Sequence, residues 1–253
     1  MEFKNKILTL FSFLSAVLFT AASCGTRRQA ASATGTPSVL FYTPAAVTQP
    51  PVSAAATPTE SASLPPTPER VPEADEFVRI VDYVPEAVID LKYATTENFT
   101  GQVIYDFTEA YARYGTVVKL AQAQEIFSQQ GYRIKIWDAY RPVSAQFRLW
   151  EICPDGNFVS NPNVGYSNHT RGCALDLTLI DSEGNEIEMP TSFDHFSEKA
   201  DRDYSDVSPA AAENARLLED VMTSCGFQGY YNEWWHFNGT VRYEPELEFQ
   251  PPR

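Results

Sequence analysis

Three histidines occur in the whole chain, and two of them stand close to acids. His169 lies in S-N-H-T-R-G-C-A-L-D (167–176), seven residues before Asp176, and His236 closes E-W-W-H (233–236), three residues after Glu233. Imidazole and carboxylate are the N/O donors of a hydrolytic zinc site, which takes three protein ligands and keeps one position open. Two His and one Asp would bring a net charge of about −1 and leave a dication Lewis-acidic. Each residue also has an ordinary reading. Asp176 could be a solvated acid on an exposed strand face, His169 a loop imidazole, and His236 a hydrogen-bonded imidazole among Trp234, Trp235 and Phe237. Spacing alone leaves both readings open.

Those side chains need elements to hold them. C-A-L-D-L-T-L-I (173–180) alternates, with Cys173, Leu175, Leu177 and Leu179 opposed to Ala174, Asp176 and Thr178. That pattern predicts a strand with Asp176 pointing away from the leucines. Y-R-I-K-I-W-D (132–138) places Tyr132, Ile134 and Ile136 opposite Arg133 and Lys135, a half-buried strand with Arg141 just beyond its C-terminal end. The ordinary reading of that guanidinium is a surface ion pair. Thr108–Gln130 carries apolar residues at 117, 120, 121, 123, 126 and 127, close to helical spacing, and Gly131 stops it. Pro142 suits the first turn of a second helix, with Val143, Phe147 and Trp150 expected on its inner face. Ser208-Pro209 opens a third, striped by Leu218, Val221, Met222 and Cys225 and stopped by Gly226. Phe77–Tyr93 reads as extended segments, and Y-Y-N-E-W-W-H-F-N (230–238) as an aromatic strand. Helices and strands mix without regular βαβ alternation. The expected fold class is therefore α+β, a mainly antiparallel sheet with packed helices.

Ahead of this region the composition changes twice. Lys4 and Lys6 precede an apolar run, Ile7–Ala22, that is short for a membrane span and ends in A-A-S-C (21–24), the pattern of an export signal. Its ending resembles a bacterial lipobox, in which the cysteine is diacylated and becomes the new N-terminus; Ala21 replaces the usual Leu. Residues 1–23 are thus expected to be a lipoprotein signal, with a lipid on Cys24 holding the chain to a membrane outside the cytoplasm. Half of the 18 prolines then fall within 25–75, among Ala, Thr and Ser. Such a stretch buries too little apolar surface to offset its ordering entropy, so 24–75 is expected to be a disordered tether and 76–253 the folded domain. A net charge of −14 argues against nucleic acid and against adhesion to an anionic bilayer. Cys153, Cys173 and Cys225 are an odd set outside the cytoplasm, implying one free thiol or three, with a Cys153–Cys173 bridge one option.

S-x-H-x-x-G-x-A-x-D followed by E-x-W-H resembles the signature of the zinc D-alanyl-D-alanine dipeptidases and, more loosely, of the related D,D-carboxypeptidases with the hedgehog-like fold. The likeness continues through I-D-L-K-Y-A-T-T-E-N-F-T-G-Q (89–102), W-D-A-Y-R-P (137–142), D-L-T-L (176–179) and M-P-T-S-F-D (189–194), covering about 80–250. The resemblance implies one zinc per chain, held by His169, Asp176 and His236. It also implies Glu233 as catalytic base, Arg141 as the cation facing the transition state, and Ser167 and Asp194 as contacts for the carboxylate and ammonium ends of a D,D-dipeptide. Chemistry agrees with these roles: an amide carbonyl needs an activated water, a carboxylate to take its proton, and a fixed cation for the developing oxyanion.

One conflict follows. Glu233 and His236 are three apart, and in a regular strand such residues face opposite ways. Both can address one metal only if a bulge or turn interrupts the strand. Three readings of function follow from the resemblance. The first is a membrane-anchored D,D-dipeptidase of cell-wall turnover or recycling; the second, a murein carboxypeptidase or endopeptidase of the same fold; the third, a non-catalytic wall-peptide-binding lipoprotein. Intact Glu233 and Arg141 weigh against the third, since a binder needs neither. Trp234 and Trp235 are expected as pocket wall and core rather than a sugar platform, and His195 as a surface residue or one supporting the site from behind its lining.

Overall fold

The computed structural model describes residues 70–156 and 158–253. The expected signal (1–23) and almost all of the expected tether (24–75) lie outside the described residues. Within them the order is β1 (Phe77–Arg79), β2 (Val88–Ile89), β3 (Tyr111–Arg113), α1 (Tyr114–Ser128), β4 (Arg133–Asp138), α2 (Val143–Ile152), β5 (Ala174–Ile180), α3 (Pro209–Ser224), β6 (Phe227–Tyr230) and β7 (Glu233–Gly239). The mixed, mainly antiparallel α+β class expected from the sequence is what forms. A five-stranded sheet runs β2-β4-β5-β7-β6, antiparallel except for the β2–β4 pair, and β1 pairs with β3 in a separate two-stranded ribbon. Among the described residues no helix is long and apolar enough to cross a membrane.

β5 is the centre of the sheet, and all seven of its residues are buried. Leu175, Leu177 and Leu179 are fully buried and join Ile134 and Ile136 of β4 in the core. α1 and α3 pack on each other; α1 lies against β4, and α3 against β6 and β7. Loops cover the opposite face. Ala174, Asp176 and Thr178 are therefore as buried as the leucines, which removes the solvated-acid reading of Asp176.

α3 begins as expected. The Ser208 side chain accepts from Ala211 N at 3.1 Å, and Pro209 occupies the first turn. α1 is shorter than its spacing implied, because 111–113 pairs as β3 and the helix starts only at Tyr114. α2 corrects the expected inner face. Ala145, Gln146 and Leu149 are its buried residues, whereas Phe147 is 39% exposed and Val143 and Trp150 are only partly covered. Ala145 and Leu149 join the apolar core, with Trp150 packed against it, while Gln146 beside them turns to Arg141, so apolarity alone did not mark that face. Cys153, Cys173 and Cys225 are all free thiols, so the optional Cys153–Cys173 bridge does not form.

Two strands break register at the same level of the sheet. Ile136 pairs with Leu177, but the next partners are Asp138 and Asp176, so Trp137 is an extra residue on β4. On β7, Gly229 of β6 pairs with Phe237, yet its neighbour Tyr230 pairs with Glu233. Trp234, Trp235 and His236 are thus looped out of the β6 ladder, which is the interruption that the Glu233–His236 spacing required.

Burial fixes the scale of two expected effects. Leu177→Ala should cost about 3 kcal/mol in urea unfolding, as for other full-depth core truncations. Phe147→Ala should stay within about 0.5 kcal/mol of the parent, because its ring is substantially exposed. A large Phe147 effect would contradict the observed packing of α2.

Candidate active site

Asp138, Asp176 and His236 are direct cross-strand partners on β4, β5 and β7. Directly opposed residues share a face of the sheet, so two acids and an imidazole stand in a row on its non-leucine side. His169 joins them from the loop before β5. There Arg171 N and Cys173 N donate to Asn168 O, and Gly172 N donates to His169 O at 2.9 Å, folding the chain tightly back. Gly172 takes φ +70°, and a Cβ there would come within 2.6 Å of the Phe77 ring. The glycine of H-x-x-G is therefore a steric requirement of the turn that presents His169.

The donor atoms converge closely. Asp176 Oδ1 lies 2.9 Å from His236 Nδ1, Asp176 Oδ2 lies 3.3 Å from His169 Nε2, and the two ring nitrogens are 3.2 Å apart. Tetrahedral zinc with bonds of about 2.0–2.1 Å would separate neighbouring donors by about 3.3 Å. The outer ring nitrogens are already committed. His169 Nδ1 donates to Ala139 O at 2.8 Å, and His236 Nε2 donates to Asn238 Oδ1 at 3.0 Å, an oxygen that also accepts from Asn168 Nδ2. These bonds assign the tautomers that leave His169 Nε2 and His236 Nδ1 as lone pairs facing Asp176. With neutral imidazoles, three acceptors then meet with no proton between them, a donor set that fits a divalent cation.

Around this triad the remaining expected residues assemble. A cavity of about 60 Å³ is lined by Arg141, Ser167, His169, Asp176, Asp194, Glu233 and His236, which are all seven side chains singled out from the sequence; Trp235 forms part of its wall. Trp234 is core, with its indole N–H donating to Thr191 Oγ1 at 2.9 Å. His195 is exposed and pairs with Ser197 Oγ. Glu233 Oε2 comes to 3.7 Å from His236 Nδ1, so the looped-out segment does turn both side chains to one side. Burial, reinforced by the nearby charge of Asp176, raises the Glu233 carboxyl to about 7. That is a range in which it can both take and release a proton near neutral pH.

Arg141 is buried rather than a surface ion pair. Its Nε and Nη2 donate to Asp138 Oδ2 at 2.9 and 2.5 Å, and its Nη1 donates to Gln146 Oε1 at 3.0 Å. Asp138 also accepts from Tyr105 OH at 2.6 Å and from Ala139 N. Burial disfavours the guanidinium charge, but Asp138 outweighs it and keeps the group firmly protonated. Asp194, at φ 55°, is held by Tyr93 OH at 3.1 Å. Burial, reinforced by the nearby charge of Asp176, pushes its carboxyl up to about 8. Asp138, Gln146, Tyr93 and Asn238 carried no role in the sequence reading. The one available signal was Asp138 itself, an acid closing an apolar strand.

The Asp194 shift has a thermodynamic consequence. Its folded pKa lies above the ordinary carboxylate value of 3.8. Stability is thus fully present below about pH 4 and is lost as pH rises through about 8. In metal-free protein, Asp194→Asn should gain thermal stability relative to the parent between these limits, with no gap opening at lower pH. A difference independent of pH, read by calorimetry, would refute the shift.

The comparisons with known proteins agree with the motifs. The chain is 41% identical to the D-alanyl-D-alanine dipeptidase of Escherichia coli (strain K12) over 165 residues, spanning 65% of this chain and 85% of the relative. It is 35% identical to the D-alanyl-D-alanine dipeptidase of Enterococcus faecium over 176 residues, spanning 62% and 86%. Among solved structures, VanYB in complex with D-alanine-D-alanine matches with a TM-score of 0.37 at 15% identity, over 52% of this chain and 73% of that one. Residues 73–246 match the peptidase M15 model for D-Ala-D-Ala dipeptidases, and with a relative at 41% identity over most of its length the chain belongs to that family of peptidases.

Proposed function

We propose that the domain hydrolyses D-alanyl-D-alanine with one zinc ion held by His169, Asp176 and His236. The observation that carries this is the single small cavity on which the three donors, a carboxylate with a pKa of about 7 and a buried guanidinium converge. Zinc bound there would supply Lewis acidity, polarising a carbonyl and acidifying water toward a pKa of about 7.

The chain's own groups do the rest. Glu233 takes the proton of the attacking water and returns it to the leaving amine. Arg141, clamped by Asp138 and Gln146, presents its remaining N–H groups to the oxygen that gains charge, a contribution typically of about 3 kcal/mol. Ser167, whose Oγ accepts from His169 N, keeps its hydroxyl hydrogen for the dipeptide's carboxylate. Asp194, steadied by Tyr93, meets the free ammonium, which favours its ionised form.

Charge favours a dipeptide over a longer wall peptide. An acid at the amino end selects a free amine, which a polymer lacks.

The zinc-loaded full-length protein should cleave D-Ala-D-Ala and fail on L-Ala-L-Ala and on N-acetyl-D-Ala-D-Ala. Efficient cleavage of the acylated substrate would instead identify a carboxypeptidase. Glu233→Ala should keep its zinc, measured by metal analysis, while kcat falls by a factor of about 10² or more. Unchanged turnover would remove Glu233 from the mechanism.

The N-terminal pattern supports a place for this activity. Lys4 and Lys6, the apolar run and A-A-S-C (21–24) support a lipid on Cys24, with the domain held outside the cytoplasm at the end of a tether. The dipeptide is built into wall precursors in the cytoplasm, so an exported hydrolase suits wall-peptide turnover and recycling. Cys24→Ala should move the protein from the membrane pellet to the soluble fraction. An unchanged distribution would sink the anchor.

A further inference from the structure

The loop-out on β7 leaves backbone carbonyls without ladder partners, and a buried carbonyl needs one. A single side chain supplies them. Arg202 Nη2 lies 3.1, 3.0 and 2.9 Å from the carbonyl oxygens of Glu233, Trp234 and His236, and Arg202 Nε donates to Tyr230 O at 2.8 Å. Its backbone N donates to Tyr231 O at 2.9 Å, so the residue is tied to the β6–β7 turn through both main chain and side chain. Nη1 faces Glu219 Oε2 and Tyr204 OH at 3.4 Å, and the guanidinium lies 4.5 Å from the centre of the Phe237 ring. Its side chain is only 5% exposed.

Gly229 makes the room. A Cβ at that position would overlap the guanidinium of Arg202. The two Nη2 hydrogens are shared among the three loop-out carbonyls while Nε, fixed in the same plane, holds Tyr230 O; an ammonium, a single flexible point charge, cannot serve both positions at once.

We propose that Arg202 is a positioning residue of this site: by binding the carbonyls of the β7 loop-out, it holds Glu233 and His236 on one side of the strand. A regular β7 would send the two side chains to opposite faces, separating the base from the metal ligand. This rests on the proposed roles of Glu233 and His236. Arg202 touches neither their side chains nor the cavity, so its effect passes entirely through the backbone.

The test compares full-length Arg202→Ala, Arg202→Lys and Gly229→Ala with the parent, using zinc affinity by chelator competition, kcat and KM for D-Ala-D-Ala, and hydrogen exchange of the 234–236 amides in metal-free protein. Supporting residues of metal sites typically cost about 10–100-fold in affinity or activity when removed. Arg202→Ala should lose zinc affinity and kcat by about that factor, with KM moving by less than about threefold. Lys should recover little of either, and millimolar guanidinium should restore part of kcat in Arg202→Ala alone. Exchange at 234–236 should quicken while β5 amides stay protected. A folded Arg202→Ala with parental zinc affinity, kcat and exchange would overturn the proposal; if Ala does not fold, Lys is judged by the same criterion. A parent that neither binds zinc nor cleaves the dipeptide would overturn the functional reading, leaving the exchange comparison to decide the role of Arg202 on the loop-out.

Discussion

Negative charge is what the rest of this structure has to accommodate. Asp138, Asp176, Asp194 and Glu233 converge beneath the loops, and Arg141 is the cation that the cavity wall provides among the described residues. Asp138 takes most of that guanidinium, as well as the Tyr105 hydroxyl. Asp176 faces the inner ring nitrogens of His169 and His236. Burial dominates at the other two acids, raising the Glu233 carboxyl to about 7 and that of Asp194 to about 8. Without another cation, the fold keeps its acids by leaving two of them near protonation. On the proposed reading, a metal dication and a substrate ammonium supply the missing charge at the two ends of the cavity, and binding each favours ionisation of the acids beside it.

Geometry answers the same constraint. Carboxylates and imidazoles can address one point only if several strands present them at one level. The sheet does this with two register breaks, at Trp137 on β4 and at 234–236 on β7, flanking the regular strand β5. The first sets Asp138 opposite Asp176; the second lets Glu233 and His236 face the same way. Each break frees backbone polar groups, and side chains near the site gather some of them: Asp138 takes Ala139 N, and Arg202 takes the carbonyls of the β7 loop-out.

This explains which parts were legible in the sequence. Period-two alternation identified β4 and β5, and the Ser208-Pro209 start and Gly226 stop bracketed α3, because those elements obey local rules over most of their length. The donor set was legible through motif spacing, with the metal reading decided by family resemblance. Periodicity could not locate either register break, since an extra residue changes pairing without changing composition. The spacing of Glu233 and His236 did show that one break had to exist, because the chemistry and the strand period disagreed. Arg202 was invisible for a related reason: it lies in an irregular loop, and its partners are main-chain carbonyls that carry no residue identity. The inward face of α2 was misjudged because only large apolar residues were assigned to a face that carries small Ala145 and polar Gln146 beside Leu149. There Gln146 reaches Arg141 and Ser160 O while Phe147 faces outward.

Rigidity follows from the same arrangement. Most of the charged and imidazole side chains lining the cavity are tied to other groups: Arg141 to Asp138 and Gln146, Asp194 to Tyr93, His169 to Ala139, and His236 to Asn238. Widening such a network means breaking several of these bonds together, each costing more buried than in water. The groups therefore keep their spacing under load. On the proposed reading, a free amine facing Asp194 would lie at a fixed distance from Glu233, and a ligand with one residue on either side of the scissile bond satisfies that spacing. The polar network that would position the groups for hydrolysis would then also fix where the amino end of a substrate has to sit.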